Sequence, residues 1–67
     1  MNMYIRYKSD AKKARCLVGE AIFHLEDAQY YLKIAEAPRW VFDALNRTIS
    51  ALNNRKRELG IMIRDAE

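Results

Sequence analysis

Apolar residues along the first half of the chain recur at alternating intervals of three and four: Tyr4, Tyr7, Ala11, Ala14, Val18, Ala21, Leu25, Ala28, Leu32 and Ala35. That is a 3.5-residue repeat, which places them on one stripe of a single helix. The stripe passes through Ser9-Asp10 unbroken, so the spacing predicts a helix from about residue 2 to 36. The second half repeats the pattern in Phe42, Leu45, Ile49, Leu52, Lys56, Leu59, Ile63 and Ala66, with Lys56 the one polar member, and predicts a helix over about 38–66. Between the stripes stands Glu36-Ala37-Pro38. Proline suits the first turn of a new helix, where its missing N–H is not needed. A connection this short, about 36–38, forces the two helices to lie antiparallel.

Folding the chain about that turn pairs the stripes in one register. Ala35 falls opposite Phe42, Leu32 opposite Leu45, Ala28 opposite Ile49 and Leu25 opposite Leu52. Further out, Ala21 falls opposite Lys56, Val18 opposite Leu59, Ala14 opposite Ile63 and Ala11 opposite Ala66. Small residues facing large ones let helices approach closely while the seam stays filled. The expected fold is all-α: one domain over 1–67, an antiparallel two-helix hairpin of coiled-coil type.

The hairpin leaves apolar residues over. Tyr4, Ile5 and Tyr7 reach past the end of the second helix in this register. The first helix carries a second apolar line away from its seam, Cys16, Phe23 and Tyr30 at seven-residue spacing with Ile34 close by. Gly19 leaves a flat spot on that helix, and Leu17, Ile22, Tyr31, Val41 and Met62 flank the seam. Trp40 follows the turn on the outer face of the second helix, where an exposed tryptophan is suited to anchoring a partner. A helix that is apolar on two faces is normally buried on two faces. The hairpin is therefore expected to assemble into a helical bundle, with a second copy of itself or with another protein.

Size and composition agree. Sixty-seven residues lie near the lower limit for burying a self-sufficient core, and chains this short draw extra stability from disulfides, metals or partners. A single cysteine, Cys16, excludes an internal disulfide framework, and a single histidine, His24, excludes the usual zinc patterns. No apolar run is long enough to cross a membrane. The start, Met1-Asn2-Met3-Tyr4-Ile5-Arg6, lacks the apolar stretch of a signal peptide. A cytoplasmic protein is expected, without cofactor or metal.

Charge is polarised along the hairpin. Arg6, Lys8, Lys12, Lys13 and Arg15 stand against Asp10 near the start, and Arg55, Lys56, Arg57 and Arg64 against Glu58, Asp65 and Glu67 near the end. These segments meet at the open end. The turn half carries more acids than bases, with Glu20, Glu26, Asp27, Glu36 and Asp43 against Lys33, Arg39 and Arg47. A basic end can attract phosphate backbones or an acidic protein, and tyrosines among the charges can stack on bases. Nucleic-acid binding through Lys8, Lys12, Lys13, Arg15, Arg55, Lys56 and Arg57 is the alternative to protein binding through Tyr4, Tyr7, Cys16, Phe23, Tyr30, Ile34 and Trp40.

The stretch from Phe42-Asp43-Ala44-Leu45-Asn46-Arg47-Thr48-Ile49 to Arg55-Lys56-Arg57-Glu58-Leu59 resembles the first helix of the all-helical chorismate mutases. In that resemblance Arg39 and Lys56 fall where the family uses cations to hold a dicarboxylate substrate. The likeness covers less than half the chain, Lys56 replaces an arginine, and the helices that complete that family's site have no counterpart in these residues. No acid, serine or cysteine is fixed beside His24, and a bare hairpin offers no pocket of convergent polar groups. No catalytic residue is assigned. The plan is also similar to the plasmid-encoded hairpin dimer that binds paired RNA loops and to small co-chaperones of type III secretion needle subunits, in length and architecture alone. The expectation is a non-enzymatic interaction module of adaptor, inhibitor or co-chaperone type.

Overall fold

The computed structural model describes residues 7–66. Two helices of 27 residues each make up the hairpin: α1, Lys8–Ile34, and α2, Arg39–Asp65, packed against one another. At 1.5 Å per residue each is about 40 Å long, and the molecule measures 46 × 22 × 12 Å. It is one helix long, two helices wide and one helix thick. No described helix is long and apolar enough to cross a membrane.

The helix ends differ from the sequence expectation in detail. α1 begins at Lys8, with Tyr7 ahead of it in extended backbone (φ −117, ψ 92), where the apolar stripe predicted a start near residue 2. Residues 2–6 of that expected helix lie outside the described residues. Tyr7 supplies no side-chain cap. Asp10, in the first turn of α1, and Lys33 and Arg64, in the last turns of α1 and α2, each sit where the helix dipole favours their charge.

The turn is made by backbone hydrogen bonds. The N–H of Ala37 donates to the carbonyl of Leu32 at 3.0 Å, and that of Glu36 to Lys33 at 3.1 Å. This is the Schellman arrangement, which requires a left-handed residue just past the helix and favours glycine there. Glu36 fills the position, at φ 58. Pro38 then holds an extended backbone (φ −60, ψ 149) and hands the chain into α2, its carbonyl accepting from Val41 at 3.1 Å. Reversal thus takes residues 35–38, which is why the helices are antiparallel.

The α2 side of the seam follows the expected line: Phe42, Leu45, Ile49, Leu52, Lys56 and Leu59 are half-buried and Ile63 is buried, while Ala66 is exposed. On α1 the line is different. Ala11, Val18, Leu25, Ala28 and Leu32 are half-buried, but Ala14, Ala21 and Ala35 are exposed, and the buried residue is Ile22, which had been placed at the edge. Ala11, Val18, Leu25 and Leu32 belong to two possible seams, one completed by residues 14, 21 and 28 and the other by 15, 22 and 29. At the middle position the second wins, because Ile22 removes far more apolar area from water than Ala21 would, while Ala28 of the first line stays half-buried and Arg15 of the second is exposed.

The cross-seam contacts move with it. Gln29 Nε2 donates to Asn46 Oδ1 at 2.7 Å, Lys56 lies against Gly19, and Arg15 against Gly60. Each pair is two residues away from the register in which Ala21 faced Lys56. The seam therefore opposes glycine to a long cation twice, where alanine had been expected opposite lysine and isoleucine.

Candidate interaction surfaces

Ile22 and Ile63, each 7% exposed, are the buried residues among those described. Two helices offer each other one stripe apiece, and everything else faces outward. Phe23 is 61% exposed, Tyr30 62% and Trp40 71%, and Tyr7, Leu17, Tyr31 and Ile34 are also more than half exposed. On the helical wheel, Phe23, Tyr30, Tyr31 and Ile34 lie away from the Val18–Ile22–Leu25 seam, with Asp27, Glu20 and Lys13 interleaved. The rings are ordered edge to face: Tyr30 and Tyr31 have centroids 5.2 Å apart at 82°, and Phe23 and His24 6.1 Å apart at 72°. α1 is less one-sided in its amphipathicity than α2, as expected of a helix carrying two apolar faces. His24 is exposed on this outer face, not packed at the seam edge.

Of the residues expected to meet a protein, Phe23, Tyr30 and Ile34 share the outer face of α1. Trp40 stands apart at the start of α2, on that helix's outer side. Tyr7 lies at the opposite end of the hairpin, just ahead of α1, and Tyr4 is outside the described residues. Cys16 is exposed but lines a groove between the helices as well as beginning the outer line.

That groove, of about 700 Å3, runs along the seam toward the open end. Lys12 and Arg15 border it from α1, and Lys56, Arg57 and Arg64 from α2, over a floor that includes Cys16, Gly60 and Ile63. Its geometry follows from the glycines. At Gly19 an added Cβ would stand 3.2 Å from Lys56 Nζ and 3.4 Å from its Cε. At Gly60 it would stand 3.1 Å from Arg15 Nε. The two long side chains thus lie flat across the partner helix, and Arg15 Nε donates to the Lys56 carbonyl at 3.3 Å. The flat spot expected at Gly19 is covered by the Lys56 side chain.

Among the described residues, no carboxylate comes within 4.0 Å of Lys12, Arg15, Lys56 or Arg57. Arg57 Nη2 donates to Asn54 Oδ1 at 3.0 Å. Arg64 is 3.8 Å from Asp65, and Arg55 is held by Glu58 at 2.6 Å, one helical turn on. Of the cations expected at the open end, the structure brings Lys12, Arg15, Lys56 and Arg57 together. Lys13 is exposed on the outer side, Lys8 is already engaged, and Arg55 belongs to its own ion pair on another face. Arg64 was missed as a site residue, although its spacing of one heptad from Arg57 was the signal that could have found it.

Among the described residues there is no group of His, Cys, Asp and Glu able to hold a metal ion. Arg39, the other cation of the chorismate mutase resemblance, begins α2, more than four helical turns from Lys56, so the pair forms no common site on this hairpin. No protein-family model, curated protein or solved structure matches the chain.

Proposed function

We propose that the protein is a non-enzymatic interaction module: a helical hairpin that pairs with a second copy of itself through the outer face of α1 and presents Trp40 and the turn to a protein partner. The surface area carries this reading. A folded monomer of 7.9 kDa exposes about 4,400 Å2, whereas this hairpin exposes 5591 Å2. The excess, roughly 1,200 Å2, is of the order that a stable interface removes from one partner, about 800 Å2. Phe23, Tyr30, Tyr31 and Ile34 stand exposed on the outer face of α1. A seam with two buried residues gives the chain little core of its own, and covering the outer face supplies the rest.

The test is solution mass by light scattering on a sizing column. The wild-type protein is expected to run as a dimer or larger assembly, and Phe23→Glu with Tyr30→Glu to dissociate it. A folded monomer at every concentration, or an assembly indifferent to both substitutions, removes the outer face as the self-association surface.

A further inference from the structure

The groove at the open end has a chemistry the outer face does not share. We infer that it binds the phosphate backbone of a single-stranded nucleic acid.

Cations reach it from both helices. Lys12 and Arg15 come from α1 and Lys56, Arg57 and Arg64 from α2; among the described residues no carboxylate lies within 4.0 Å of the first four, and Arg64 has Asp65 at 3.8 Å. The fold draws two of these cations together. Gly60 and Gly19 give Arg15 and Lys56 room to lie across the seam, and among the described residues neither has a carboxylate within 4.0 Å. A guanidinium with most of its donors free is suited to phosphate oxygens.

The shape selects the kind of anion. Arg57 and Arg64 lie one heptad apart, about 10 Å along the helix, too long a row for one phosphate. Unstacked bases, which a single strand offers and a duplex keeps paired inside, can reach the apolar part of the groove's lining. Cys16, Ile61 and Ile63 make part of its surface apolar, a footing for sugars and bases that inorganic polyphosphate cannot use.

The experiment is fluorescence anisotropy with a labelled single-stranded oligonucleotide of about 20 nucleotides, titrated between about 50 and 200 mM salt. Lys12, Arg57 and Arg64 are exposed, so the triple variant Lys12→Gln, Arg57→Gln, Arg64→Gln keeps the seam intact, and circular dichroism checks that it folds. The control removes the same charge from the turn half, in Lys33→Gln, Arg39→Gln, Arg47→Gln. The groove triple is expected to lose affinity tenfold or more at low salt, with the slope of log K against log salt reduced by about 2. The control is expected to bind as the wild type does. Absence of binding at low salt, equal loss in both triples, or displacement by polyphosphate or polyglutamate as readily as by the oligonucleotide would overturn the inference. A duplex of the same length bound as tightly as the single strand would overturn the choice of strand. Because Phe23, Tyr30, Tyr31 and Ile34 are untouched by these variants, failure here leaves the self-association reading standing.

Discussion

Glu36 offers the cleanest perturbation of the hairpin. It occupies the left-handed position of the Schellman turn at φ 58, where a side chain with a Cβ costs about 1–2 kcal/mol. Glycine removes that cost but loses about 0.5–1 kcal/mol through the greater freedom of the unfolded chain. Glu36→Gly is therefore expected to stabilise the protein by about 0.5–1 kcal/mol. For a chain of this size that corresponds to a rise in Tm of roughly 2–8 °C. Thermal melts followed by circular dichroism measure it, run at one fixed protein concentration because association would otherwise move the midpoint. Glu36→Ala serves as control, since it deletes the carboxylate and keeps the Cβ. A gain in the glycine variant and none in the alanine variant supports the geometry. Equal gains would assign the effect to charge, and a lower Tm for Glu36→Gly would refute the reasoning about the turn.

Other perturbations follow from the seam and its glycines. Ile22→Ala should cost about 2 kcal/mol or more in a urea melt, whereas Ala21→Ser should cost only about 0.5 kcal/mol; the reverse order would restore the alanine seam. Gly60→Ala is expected to raise stability by up to about 1 kcal/mol, because the helix gains an alanine and the flexible end of Arg15 yields a few tenths of an ångström. A clear loss there would mean that Arg15 holds the seam from that position.

The hairpin was legible in the chain because α2 carries one unbroken three-and-four line and Pro38 marks the reversal. The seam on α1 was not, since two lines share Ala11, Val18, Leu25 and Leu32 and differ only in what lies between. Choosing between Ala21 and Ile22 is a matter of buried area and not of period. The turn carried no glycine to announce a left-handed residue, so Glu36 gave no warning of its conformation. Of the candidate surfaces, the outer aromatic line was readable from seven-residue spacing alone. The groove was readable only as a charge excess, because its form depends on Lys56 and Arg15 crossing to Gly19 and Gly60, which a register two residues away does not predict.

Light scattering of the wild-type protein beside its Phe23→Glu, Tyr30→Glu variant, each across a range of concentrations, tests the central claim most directly. The account predicts an assembly of at least two copies for the wild type and a smaller species for the variant. A wild-type protein that stays a folded monomer at every concentration would contradict it.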